Sequence, residues 1–144
     1  MSVQIAESDE QLAACFPVVR ELRPHLTEQS FLSRVRSQER AGYRIAYIEA
    51  DGRPVAVAGF RFLEMLADGR YLYVDDLVTH SGARSRGHGA ELLRWLVQRA
   101  ESAGCSGLQL DSAVQRVDAH RFYEREGLRR RSYHFEKALR KAGV

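Results

Sequence analysis

The sequence predicts an α/β (α+β) fold: one domain over residues 1–144, with a mixed, mostly antiparallel sheet of six to seven strands and about four helices. Three observations carry this. Strand-patterned segments at 43–50, 54–63 and 71–79 follow one another with only short turns between them, which makes an antiparallel meander. The last of these runs through a glycine-rich turn into a long amphipathic helix, and that helix is the crossover to a parallel strand. Helical patterns also lie before and after the meander, so helices are available to cover the faces of the sheet.

In chain order, residues 3–6 form a short first strand. Ser8 and Gln11 make a capping box, and Leu12, Phe16, Val19 and Leu22 recur at helical spacing, giving a helix from Asp9 to Leu22 that Pro17 should kink or shorten. Thr27 caps a second helix to about residue 40, with Phe31, Leu32 and Val35 inward. Asp51-Gly52 is a two-residue hairpin turn between the first two meander strands, and residues 67–70 turn into the third. Leu92, Leu93, Leu96, Val97 and Ala100 mark the buried stripe of the crossover helix, and Gly104 ends it. Residues 107–111 are the parallel strand. Residues 117–125 are a last helix ended by Gly127, residues 128–137 a final strand, and 140–144 a frayed tail.

Composition bounds the function. Apolar residues at 44% and charged residues at 28% are those of an ordinary globular protein, and no apolar run reaches the roughly 20 residues of a membrane helix. The first residues carry no secretory signal, so the cytoplasm is the expected location and no membrane partner is expected. Cys15 and Cys105 stand alone, as a core residue or a bystander near a site, and no metal-ligand spacing occurs. A net charge of +3 suits a polyanionic ligand but is too small to argue for nucleic acid; Arg129 to Arg131 is the one basic run.

The turn at 81–89 holds Gly82, Gly87, Gly89, Arg84 and Arg86. At a strand-to-helix turn the first helical N–H groups lack intrahelical acceptors and the macrodipole is positive, which favours a phosphate. A P-loop is excluded because no Gly-x-x-x-x-Gly-Lys-Ser/Thr run exists. The dinucleotide fingerprint is excluded because Leu92 stands where the third glycine belongs. Arg84-Ser85-Arg86-Gly87-His88-Gly89 instead resembles the Gln/Arg-x-x-Gly-x-Gly/Ala signature of the GNAT family of N-acetyltransferases. A second block, Asp118 to Leu128, resembles the family's Asn-x-x-Ala-x-x-Phe-Tyr-x-x-x-Gly-Phe segment through Ala119, Phe122, Tyr123 and Gly127; the family's Asn falls on Arg116 and its last Phe on Leu128.

The resemblance implies a GNAT-like acyl-CoA N-acyltransferase fold and transfer of an acetyl group from acetyl-CoA to a primary amine, of a small molecule or a protein. It implies that Arg84, Ser85, Arg86, Gly87, His88, Gly89 and Ala90 hold the pyrophosphate, with Arg116 and Phe122 at the cofactor. It also implies that backbone groups of Leu77, Val78 and Thr79 pair with the pantetheine arm and supply the oxyanion donor. Tyr123 is by resemblance the acid that protonates the departing thiolate. For the base, Asp75 and Asp76 are the candidates, expected on opposite faces of one strand, with Glu64 and Asp111 behind them. His120 is expected at the rim. Small domains of this family often pair, so a homodimer through the final strand is expected. The alternatives are a non-catalytic acyl-CoA-binding or sensing module and, from Arg129 to Arg131, a basic nucleic-acid binder.

Overall fold

A computed structural model describes residues 2–140. The chain divides into two compact units, Met1–Gln109 and Leu110–Val144. The first carries β1 (Val3–Ile5), α1 (Asp9–Leu22), α2 (Glu28–Glu39), β2 (Arg44–Ala50), β3 (Arg53–Met65), β4 (Gly69–Thr79), a single 3-10 turn (Ser81–Ala83) and α3 (His88–Ser102). β5 (Leu108–Leu110) straddles the boundary, and α4 (Val117–Arg125) lies in the second unit.

Among the described residues the sheet has five strands in the order β1-β2-β3-β4-β5. The first four are antiparallel neighbours. Backbone bonds from Ser106 N–H to Arg70 O and from Leu72 N–H to Gly107 O advance along β4 and β5 in the same sense, so the crossover through α3 is parallel. Six to seven strands were expected, and the correction lies at 128–137: among the described residues no strand forms there. Its alternation is present, but a strand also needs a partner edge, which alternation does not supply. Of the tail expected over 140–144, residues 141–144 lie outside the described ones.

Local chemistry accounts for most of the elements. Ser8 Oγ accepts from Gln11 N–H while the Gln11 side chain returns to the Ser8 N–H, closing the expected box. A second box joins Thr27 and Ser30 at α2. Asp51 and Gly52 both have positive φ, 54° and 76°, as a two-residue hairpin turn with right-handed strand twist requires. α1 runs through Pro17 without a break, because Leu12, Cys15, Phe16, Val18 and Val19 are buried around it and outweigh one lost backbone bond.

The sheet is covered on both faces. Ile45, Tyr47, Val57 and Val78 join Leu12, Cys15, Phe16, Val19, Phe31 and Val35 under α1 and α2. Phe60, on the opposite face, meets Trp95 of α3 edge-on at 5.8 Å, and Leu92, Leu93, Leu96 and Ala100 are buried along that helix. Val97, expected inward, is 36% exposed at the edge of the stripe.

Candidate active site

Strict alternation along β4 would put Val74 and Asp76 on the same face. The ladder to β3 breaks it: Val74 pairs with Phe60 and Asp76 with the adjacent Gly59, leaving Asp75 as an extra residue in a β-bulge. Asp76 therefore shares the α1/α2 face with Gly59 and Arg61. Asp75 bends to the same side, where Arg61 Nε donates to its Oδ1 at 3.1 Å and Arg61 Nη2 to its Oδ2 at 2.8 Å. The expectation of opposite faces is thus overturned, and both carboxylates belong to one cluster.

The rest of that cluster comes from distant parts of the chain. The Tyr43 hydroxyl donates to Asp76 Oδ2 at 2.5 Å, and Arg23, at the end of α1, donates from Nε to Asp76 Oδ1 at 2.9 Å and from Nη2 to the Asp75 carbonyl at 3.1 Å. The Arg61 guanidinium lies over the Tyr43 ring, 5.0 Å from its centroid. Gly59 makes room for this: a Cβ there would overlap the Tyr43 phenol. Burial pushes the Tyr43 hydroxyl well above its ordinary range, reinforced by the charge of Asp76. Burial also raises the Asp75 carboxyl, with the bonds and charge of Arg61 pulling it down and Asp76 adding to the rise. A carboxylate held above its ordinary range is a stronger base than an exposed one. Both Asp76 oxygens are engaged by Tyr43 and Arg23, as both Asp75 oxygens are by Arg61, so hydrogen bonding alone does not separate the base from the positioning carboxylate.

β4 continues through Leu77, Val78 and Thr79, which pair with Ala58, Val57 and Ala56 of β3. On its other side, β5 is three residues long and is bonded from the Arg70–Leu72 end of β4. The loop that follows is anchored to α1, where Glu21 accepts from Ser81 N–H at 3.0 Å and sits 3.7 Å from both His80 and Arg84. Ser85 and Gly87 take positive φ, 67° and 82°. Ser85 is the strained one of the two, since only glycine adopts that region freely. Gly87 is the N-cap of α3 and offers no side-chain bond. Glu91 N–H is the first to close an intrahelical bond, to Gly87 O, so the N–H groups of His88, Gly89 and Ala90 face outward from the positive end of a 15-residue helix. Arg84 and Arg86 are exposed beside them, and the His88 ring is buried, which leaves its backbone for a ligand. These features fit a pyrophosphate.

In the second unit, α4 has Arg116 as its N-cap and is followed, after its C-cap Glu126, by Gly127, whose φ is 95°. Tyr123 lies within it, its ring centroid 5.3 Å from that of Phe122. Burial raises its hydroxyl, and the charge of Arg116 opposes the rise. The His120 ring stands 2.9 Å from the Ala113 carbonyl oxygen. Sequence reasoning located the two aspartates and the turn but missed Tyr43, Arg61, Arg23, Gly59 and Glu21. No local signal marks these residues, because each acts through a contact the fold alone creates.

Residues 6–128 match the model of the Acetyltransferase (GNAT) family. YhdJ of Bacillus subtilis (strain 168), described as an uncharacterized N-acetyltransferase, is 33% identical over 134 residues, which make up 92% of this chain and 94% of that protein. A transcriptional regulator from Bacillus halodurans C-125 has a TM-score of 0.83 at 22% identity, covering 96% of this chain and 100% of the other. The ribosomal-protein-alanine N-acetyltransferase of Brucella melitensis biovar Abortus 2308 gives 0.82 at 18% identity, again covering 96% and 100%. At such identities the two solved structures speak for the fold alone.

Proposed function

The chain belongs to the acetyltransferase (GNAT) family, and on that premise we propose that it moves the acetyl group of acetyl-CoA to a primary amine, of a small molecule or a protein, in a ternary complex. The observation that carries the reading is the start of α3, where uncapped N–H groups, two left-handed residues and two exposed arginines meet at the family's cofactor signature. The family match runs through both compact units, which supports one catalytic domain.

In this reading, acetyl-CoA supplies the acyl group as a thioester. Residues Arg84 to Ala90 hold its pyrophosphate, the family resemblance assigns Arg116 and Phe122 to the same cofactor, and the backbone of Leu77, Val78 and Thr79 aligns its arm and donates to the thioester oxygen. A lysine-like amine has a pKa of about 10.4 and must shed a proton to attack. Asp75, directly or through one water, takes that proton; Asp76, with Tyr43 and Arg23, fixes the bulge. The new C–N bond forms as the C–S bond breaks, Tyr123 gives its proton to the sulfur that leaves with the electron pair, and the second proton shed by the nitrogen passes through solvent to restore the Tyr123 hydroxyl. Two free cysteines suit a reducing compartment, and we place the protein in the cytoplasm as a homodimer.

The test is a panel of amines with acetyl-CoA, read by released thiol. Amine-dependent release that falls about 10²–10⁴-fold in single turnover for Tyr123→Phe, with acetyl-CoA affinity kept, supports the assignment. Tight acetyl-CoA binding with no transfer to any amine would make the protein an acyl-CoA-binding module instead.

A further inference from the structure

The acidic cluster on the α1/α2 face holds two guanidinium groups, and they are engaged differently. Arg61 lays its Nε–Nη2 edge along both oxygens of Asp75, and its side chain is 17% exposed. Arg23, at the end of α1, divides the same edge between two groups, Asp76 Oδ1 at 2.9 Å and the Asp75 carbonyl at 3.1 Å. Its Nη1 donates to no described residue, and its side chain is 41% exposed. Two bonds therefore fix the plane of the Arg23 guanidinium while its outer edge stays open. Such an edge matches a carboxylate or a phosphoryl group with two parallel N–H···O bonds.

The charges of the cluster cancel. Asp75 and Asp76 face Arg61 and Arg23, and the Tyr43 hydroxyl is kept protonated by burial and by the charge of Asp76. Glu21, the acidic residue nearest to Arg23 along α1, is taken up by the Ser81 N–H and stands 3.7 Å from Arg84. A site without net charge does not gather polycations. It fits a ligand that is neutral overall and charged at both ends, with an ammonium for Asp75 and an anion for the outer edge of Arg23. The two points are close, because the residue whose carboxylate would meet the ammonium is the one whose carbonyl holds Arg23.

We infer that the amine acceptor carries its own anionic group, a carboxylate or a phosphoryl group a few bonds from the nitrogen, and that Arg23 is the residue that selects it. This rests on the acetyl transfer proposed above, with Asp75 as base, and names the class of molecule that receives the acetyl group. It gives Arg23 a second part beside fixing the bulge. A guanidinium already held by two bonds loses little side-chain freedom when the ligand arrives, so the contact is gained at small entropic cost. The same group works against the wrong acceptors: a diamine, or a lysine in a basic segment of protein, sets a second cation against Arg23.

The experiment measures kcat/KM on the full-length chain, at saturating acetyl-CoA, for β-alanine, aminoethylphosphonate, propylamine and ethylenediamine. The wild type should prefer one of the two anionic amines to propylamine by about tenfold or more, the worth of one charge-assisted hydrogen bond, and ethylenediamine should be poorest. Whichever anionic amine leads tells a carboxylate from a phosphoryl group. In Arg23→Gln the preference over propylamine should shrink to about twofold or less, and Arg23→Lys, which keeps the charge without the fork, should restore part of it. If Arg23 serves only the bulge, Arg23→Gln lowers every acceptor together and keeps their ratios, which overturns the inference. A wild type that uses amines without an anionic group as well as these, or better, overturns it too and leaves the acetyl transfer standing. Thiol release with no amine at all removes the transfer and the inference with it.

Discussion

At Gly59 one methyl group decides whether the acidic cluster can assemble. A Cβ there would overlap the Tyr43 phenol and come within 2.8 Å of Asp76 Oδ2, and the atoms it meets are part of the fixed network. Gly59→Ala should therefore expel the Tyr43 hydroxyl from its bond with Asp76 and destabilise the fold by about 1–3 kcal/mol, read by denaturant unfolding. Tyr43→Phe removes the hydroxyl alone, leaves Asp76 with Arg23, and should cost less. Equal stability of Gly59→Ala and wild type would show that the site relaxes freely. Cys15 gives a second prediction. Burial pushes its thiol up to about 12, so at neutral pH it carries almost no thiolate. An alkylating reagent should leave Cys15 untouched in the native protein and label it once denaturant is added; rapid native labelling would contradict the burial. At this scale the sequence was half legible. Asp75 and Asp76 stand out as adjacent carboxylates on a strand. Tyr43 and Arg23 lie 33 and 53 positions away from Asp76, and only the packed sheet brings them to it.

Among the elements, the start of α3 offers the sharpest test. Gly87 holds φ at 82° with open space around its missing Cβ, so Gly87→Asp strains the backbone by only about 1 kcal/mol while placing a negative charge among the outward N–H groups. The variant should fold, by circular dichroism, and lose acetyl-CoA binding by calorimetry; unchanged affinity would move the pyrophosphate elsewhere. Which elements could be read in advance follows from the range of the forces that make them. α1, α2 and the Asp51-Gly52 hairpin are set by caps and turn residues within four positions, and all appear in place. The bulge at Asp75 depends on which β3 residue lies opposite, a choice made by two strands together. The strand expected over 128–137 failed for a related reason: its alternating residues are present, but among the described residues they join no ladder.

On the mechanism proposed above, pH should act on the whole molecule through two groups of opposite need. Asp75 must be deprotonated to take a proton, and burial raises it, so activity should fall as pH drops through a value above the ordinary carboxylate range. Tyr123 must be protonated to give one, and burial raises it too, so the alkaline loss should begin above the range of an ordinary phenol. Both limbs of the profile of kcat/KM are thus displaced upward. Asp75→Asn should abolish the acid limb and Tyr123→Phe the alkaline one, and a limb that survives its own substitution belongs to another group. The bulge in β4 bears on how this protein can change over evolutionary time. Removing Asp75 would let Val74 and Asp76 follow one another opposite Phe60 and Gly59, a continuous ladder with no residue left over. A chain shortened by that codon would keep every other pairing and shed the one irregularity in the strand. The deletion would also strip Arg61 of its carboxylate and Arg23 of a carbonyl acceptor, so the extra residue is held in place by the charge network it completes as well as by the proton transfer proposed for it.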